Sequence, residues 1–332
     1  IFMRKITKLF AGLLASAMVL TMSTAVFASA EEKTSTPTYT DHETVTIQKK
    51  YKLTNEGTTS PAETFTLEQV GAGRVTDGEA ASAPALGTIT GAAYAVSGAT
   101  TAGAIEDITV NLPVYESVGI YEYTLKEVAG TTAGVTYYVN NIKLVVTVIQ
   151  GDNGKLRVAA VHTEDEDGTK SDTFENTYSA GQLNVSKTVT GNLGDENKYF
   201  EFKVTLTGET GKTYGDSYAV TGGSDTGNPT SIEIGEETTF KLKHGETLHI
   251  ANLPYGVTYA VTETAVDGYT TTKTGNEGTI NAASTTAAFT NNKTGEIDMG
   301  VNLDNVPYVL VLAVVVIAAG TVFVFKKRKG QN

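Results

Sequence analysis

Two trios of Lys, Glu and Asn recur along this 332-residue chain. The first is Lys49, Glu127 and Asn176; the second is Lys187, Glu263 and Asn291. The Lys-to-Glu separations are 78 and 76 residues, and the Glu-to-Asn separations are 49 and 28. Each Lys closes an alternating run, VTIQK ending at Lys49 and LNVSK ending at Lys187. Each Glu ends a similar run, YTLKE at Glu127 and YAVTE at Glu263. Each Asn closes Phe-x-Asn, at Phe174-Glu175-Asn176 and Phe289-Thr290-Asn291. Alternate side chains of a strand share one face. Lys49 therefore lies with Val45 and Ile47, and Lys187 with Leu183 and Val185. Asn176 and Asn291 lie with their phenylalanines, and Glu127 and Glu263 with Tyr123, Leu125, Tyr259 and Val261. All six polar groups are expected to face a core. Lys50, the register alternative to Lys49, would point the other way.

A lone buried Lys or Glu costs several kcal/mol unless it is neutralised or paired. A trio that occurs twice suggests that its members meet. Burial lowers the pKa of a lysine and raises that of a carboxylic acid, so the amine becomes a neutral nucleophile. A protonated Glu would then hydrogen-bond the Asn carbonyl, polarise it and shuttle protons. Attack on the Asn side-chain carbon expels ammonia and leaves a Lys–Asn isopeptide bond. The simpler alternative is an ordinary Lys–Glu ion pair near a strand end.

The elements that must position these groups read as β throughout. Gly is frequent (34), Tyr numbers 16 and Pro only 7; with abundant Thr and Val this composition favours strands and turns. Two β-rich units are expected at residues 43–178 and 181–294, after a polar lead-in at 31–42. They share opening Lys strands, Asn-Leu-Pro segments (Asn111-Leu112-Pro113 and Asn252-Leu253-Pro254), and closing Asn strands. The first unit is longer between Glu and Asn by 21 residues, the size of an extra hairpin over 142–161. Residues 71–104, rich in Ala, Gly, Ser and Thr, read as a long loop with a short strand near Ala93.

Charge and composition narrow the function. Lys and Arg number 25 against 37 Asp and Glu, a net charge of −12. Seven of the basic residues lie at the two ends, and Asp304 is the single acidic residue outside 31–299. That stretch therefore holds 18 basic and 36 acidic groups, which disfavours nucleic acid and anionic membranes as partners. The absence of Cys rules out disulfides, thiolate metal sites and a Cys nucleophile. Four His leave little for zinc, and no phosphate-binding glycine loop or hydrolase triad occurs. No cofactor or metal is expected. Glu164, Asp165, Glu166 and Asp167 fail the ligand spacing of a calcium loop and read as a solvated turn. His244 and His249 read as surface residues.

The ends point outside the cell. Met3 reads as the natural start; a basic opening, an apolar stretch and Ala28-Ser29-Ala30 make residues 1–30 a signal peptide. A transmembrane helix is expected at 306–325, uncharged from 308 onward and just long enough to span a bilayer core. The basic tail at 326–332 would remain inside.

With this leader, opening-strand Lys, Tyr-x-Val-Thr-Glu segment, Phe-x-Asn strand and anchor, the chain resembles the backbone (shaft) pilins of sortase-assembled Gram-positive pili, of the streptococcal T-antigen type. The resemblance implies an all-β fold of two tandem Ig-like (CnaB-like) β-sandwich domains. Each would carry an internal isopeptide bond, Lys49–Asn176 and Lys187–Asn291, with Glu127 and Glu263 as its catalytic residues. It implies a sorting motif at Glu296-Ile297-Asp298-Met299-Gly300, cut at Met299–Gly300; Asp298 and Met299 replace the family's Pro and Thr. The acceptor amine for the next subunit maps to Lys170, with Lys155 and Lys143 as competitors. Expected partners are a pilus-specific sortase, further copies of the chain head to tail, minor pilins and a host surface. The protein is then a structural subunit at the cell wall, not an enzyme beyond its own cross-linking. A monomeric wall-anchored adhesin or minor pilin is the alternative.

Overall fold

A computed structural model describes residues 41–151 and 154–297. The signal peptide, most of the lead-in, residues 298–300 of the sorting motif, the transmembrane helix and the basic tail lie outside the described residues. Among those described, all regular structure is β.

The first part of the chain supplies β1 (Thr44–Leu53), β2 (Glu63–Phe65), β3 (Leu67–Gln69), β4 (Arg74–Gly78), β5 (Ile89–Thr90), β6 (Ala92–Tyr94), β7 (Ala104–Asn111), β8 (Gly119–Glu127), β9 (Val135–Thr136), β10 (Ile142–Gln150), β11 (Leu156–Glu164) and β12 (Thr173–Tyr178). One sheet runs β5-β7-β1-β12-β9. The facing sheet runs β11-β10-β8-β3, with β4 also on β8. Inward residues of both, among them Ile47, Tyr51, Tyr121, Tyr123, Leu144 and Phe174, form one core. The second part supplies β13 (Ala180–Thr190), β14 (Phe200–Thr207), β15 (Tyr218–Gly222), β16 (Ser231–Ile232), β17 (Glu237–Leu242), β18 (Thr247–Pro254), β19 (Thr258–Glu263), β20 (Thr270–Thr274), β21 (Glu277–Thr279) and β22 (Ser284–Asn292). Its sheets run β16-β15-β18-β13-β22-β20 and β17-β14-β19-β21, closed over a second core that includes Leu183, Phe202, Val261 and Phe289.

The two sandwiches share one decisive feature. Their opening and closing strands are parallel neighbours, β1 beside β12 and β13 beside β22. Period-two burial drives each of these strands: Ile47, Lys49 and Tyr51 are buried on β1, and Leu183, Val185, Lys187 and Val189 on β13. The extra hairpin of the first sandwich is β10–β11, in antiparallel register from Lys143–Glu164 to Gln150–Leu156.

Residues 71–104 do not form the long loop that their composition suggests. They contain β4 and β5 besides β6, which lies where the short strand near Ala93 is expected. Small residues hide the reason from a composition count: Ala92 and Tyr94 are buried, and the Tyr94 ring packs edge-on against Tyr51 and Phe65. The Tyr94 hydroxyl also donates to the carbonyl of Lys49 and accepts from the Glu106 N–H at 3.1 Å.

Ser179 alone separates β12 from β13, and the two sandwiches are stitched around it. The Ser179 N–H donates to Gly134 O at 2.8 Å, and its own carbonyl accepts from the Tyr255 N–H at 3.0 Å. Asn252 adopts a left-handed φ of 60°, a region that Asn tolerates better than most residues. Its side chain accepts from the Thr59 N–H at 2.8 Å and donates to Thr59 O at 2.9 Å. Asn55 donates to Ala180 O and to the Tyr255 hydroxyl.

Candidate functional site

In the first sandwich β1 and β12 pair with Lys49 opposite Phe174 and Tyr51 opposite Asn176. Lys49 and Asn176 thus face the core from adjacent strands, two residues apart, within reach of a long lysine side chain. Glu127, the last residue of β8, comes down from the facing sheet. Lys49 Nζ donates to Glu127 Oε2, and to Asn176 Oδ1 at 2.7 Å. Asn176 Nδ2 donates to Glu127 Oε1 at 2.5 Å. The three residues are 1%, 3% and 0% exposed. Rings of Phe65 and Tyr138 lie 5.4 and 5.6 Å from Nζ.

The second sandwich repeats the plan. Lys187 sits opposite Phe289 and Val189 opposite Asn291 on β13 and β22. Glu263 ends β19 in the facing sheet. Lys187 Nζ donates to both Glu263 oxygens at 2.8 Å, and Asn291 Nδ2 donates to Glu263 Oε1 at 2.5 Å. Phe200 and Phe202 cover Nζ, with ring centres at 4.2 and 5.7 Å. Both lysines have pKa values lowered by burial, against the opposing pull of their glutamates.

The geometry differs from expectation in one respect. In both sites the Glu contacts the Asn nitrogen, not its carbonyl oxygen. The reason lies in donor inventory: carboxyl oxygens face the two available nitrogen donors, Nζ and Nδ2. Each Glu is therefore placed between the amine that would attack and the amine that would leave. The carbonyl oxygen is served separately, and unequally. Asn176 Oδ1 accepts from the backbone N–H of Tyr138 at 2.8 Å. Asn291 Oδ1 is buried without a hydrogen-bond partner among the described residues. A backbone donor has no residue signature, and the sequence pattern missed it.

Other expected residues fall as follows. Lys50 points away from the core and pairs with Glu175 at 3.0 Å. Lys170 is exposed, closing a turn whose Asp165 carboxylate accepts from the N–H groups of Asp167 and Thr169. Among its competitors, Lys155 is exposed, while Lys143 pairs with Glu164 at 2.5 Å, which raises its pKa. Glu296 and Ile297 are exposed; Asp298, Met299 and Gly300 lie outside the described residues. Gly295, just before them, is held by Asn192 through two hydrogen bonds. His244 and His249 are half-buried rather than surface residues. His244 Nδ1 accepts from the Val189 N–H, and His249 Nδ1 meets Asn184 and Gln182.

Comparison with known proteins bears on both halves of the chain. Residues 30–179 match the family described as the Spy0128-like isopeptide containing domain. Residues 181–293 match a domain family of unknown function. A curated pilin of Streptococcus pyogenes serotype M1 is 29% identical, over 65% of this chain and 69% of the relative. The pilus tip adhesin Cpa of Streptococcus pyogenes is 36% identical over 88 residues, which are 26% of this chain and 12% of the adhesin. In fold, the chain is similar to the crystal structure of the major pilin from Streptococcus pyogenes, with a TM-score of 0.54 and 24% identity. That likeness covers 77% of this chain and 100% of the other.

Proposed function

We propose, from a chain that resembles the backbone pilins of sortase-assembled streptococcal pili, that this protein is the covalently polymerised shaft subunit of a cell-surface pilus. Each of its two Ig-like domains is stabilised by a self-formed Lys–Asn isopeptide bond. The observation that carries this reading is the duplicated Lys–Glu–Asn cluster, with Lys and Asn buried on parallel first and last strands and each Glu side chain at most 3% exposed beneath them.

The chemistry follows from the contacts. The Glu takes a proton from the Lys ammonium and leaves a neutral amine. Nζ attacks the Asn Cγ, and charge moves onto Oδ1. The Glu passes its proton to Nδ2, the Cγ–Nδ2 bond breaks and ammonia leaves. The second proton of Nζ ends on the Glu, and an amide joins the strands. Aromatic rings exclude water and favour the neutral amine.

Assembly would use the ends of the same frame. A sortase would cut at Met299–Gly300 and pass the Met299 carbonyl to Lys170 of the next copy. Lys170 is favoured over Lys143 because Glu164 holds the Lys143 ammonium charged. Replacing Lys170 by Ala should abolish detergent-resistant ladders on cells while leaving wall-attached monomer. Persistence of ladders, with Met299 mapped to another lysine, would move the acceptor. Absence of ladders in the unmutated strain would favour the second reading, a monomeric wall-anchored adhesin or minor pilin. The likeness to a segment of the tip adhesin speaks for that alternative.

A further inference from the structure

The two clusters are not equivalent at the atom where charge develops. Beside Asn176, the outer strand β9 pairs with β12 only at Thr136–Thr177 and Val135–Tyr178. The chain then leaves the ladder, and the amide of Tyr138 turns to Asn176 Oδ1 at 2.8 Å. Beside Asn291, the outer strand β20 stays in register from Thr270–Asn292 to Thr274–Ala288, passing Asn291 at Thr271. That edge ladder continues past the site, and Asn291 Oδ1 is left buried with no donor among the described residues.

We propose that the backbone N–H of Tyr138 is the oxyanion donor for formation of the Lys49–Asn176 bond, and that the second site works without one. The inference rests on the proposed Lys–Asn bonds. When Nζ bonds to Cγ, the carbonyl π electrons move to Oδ1. The Tyr138 N–H already points at that oxygen, so no reorganisation is needed as the charge grows. Glu127 is occupied with Nζ and Nδ2 and moves the protons from the attacking to the leaving nitrogen. Proton shuttling and oxyanion stabilisation are thus divided between a side chain and a backbone amide. The Tyr138 ring serves another purpose, packing on Phe174 at 5.1 Å and covering Lys49.

The test follows each bond separately in the full chain by pulse-labelled synthesis, denaturation at intervals, and mass spectrometry of the cross-linked peptides. In the unmutated protein Lys49–Asn176 should form ahead of Lys187–Asn291. Replacing Tyr138 by its α-hydroxy acid turns the N–H into an ester oxygen and keeps the ring. That change should slow the first bond by about 10²–10³-fold, the usual loss for one oxyanion donor. The second bond should keep its rate, which also reports that the chain folds. A first bond that forms at the normal rate in the ester variant, or that lags the second in the unmutated chain, would overturn the oxyanion assignment alone. Absence of both cross-links in the unmutated chain would overturn the bond reading itself and this inference with it.

Discussion

At the scale of single residues, the account turns on a lysine placed where lysines are seldom found. Lys49 is 1% exposed, and burial lowers its pKa from 10.5. Before any bond forms, this shift links stability to pH. Between the lowered folded value and 10.5, the unfolded chain binds more protons than the folded one, so stability rises with pH across that window. Asn176→Ala, which keeps Lys49 and Glu127 but forbids the bond, exposes the effect. Its unfolding free energy should gain on that of the Lys49→Met/Asn176→Ala double variant as pH climbs toward 10.5. Parallel pH profiles would mean that Lys49 keeps its proton in the core. The burial of these residues was legible in sequence because strand alternation assigns a face to every side chain. Tyr138 was not, because its contribution is an amide common to all residues except proline, and only the departure of β9 from its ladder aims it.

At the scale of elements, the parallel pairing of first and last strands would convert the proposed local reaction into a global restraint. The proposed Lys49–Asn176 bond would close a loop of 127 residues. By the chain-entropy argument for cross-links, that is worth roughly 4–5 kcal/mol. Asn176→Ala should therefore lower the melting temperature of the first sandwich by roughly 10–25 °C. An unchanged calorimetric transition would reduce the trio to an ion pair. The hairpin β10–β11 and the alternating opening and closing strands could be read from sequence. The parallel pairing could not, because alternation fixes a face and not a neighbour. The short strand near Ala93 was expected and is β6, whereas β4 and β5 escaped for a different reason. They are short and contain few large apolar residues.

At the scale of the whole molecule, the two sandwiches follow each other with a single residue between their strands, which in the proposed fibre would make a continuous load path. Ser179 leaves almost no linker between β12 and β13, and the Asn252–Thr59 and Asn55–Tyr255 hydrogen bonds brace the joint. The duplicated Asn-Leu-Pro was visible as a repeat, yet its two copies act differently. Asn252 takes a left-handed conformation at the joint, whereas Asn111 ends β7 and donates to the Thr88 hydroxyl. In a fibre joined from Met299 to Lys170, each internal bond would tie together the strands that tension would otherwise peel apart. The two proposed covalent bonds would supply what no disulfide can in a chain without Cys. Intact mass of the processed, unmutated chain tests this most directly. Two bonds predict a mass about 34 Da below that of the sequence, one ammonia of about 17 Da for each. Glu127→Ala and Glu263→Ala should each restore one increment. A mass equal to that of the sequence would contradict the account.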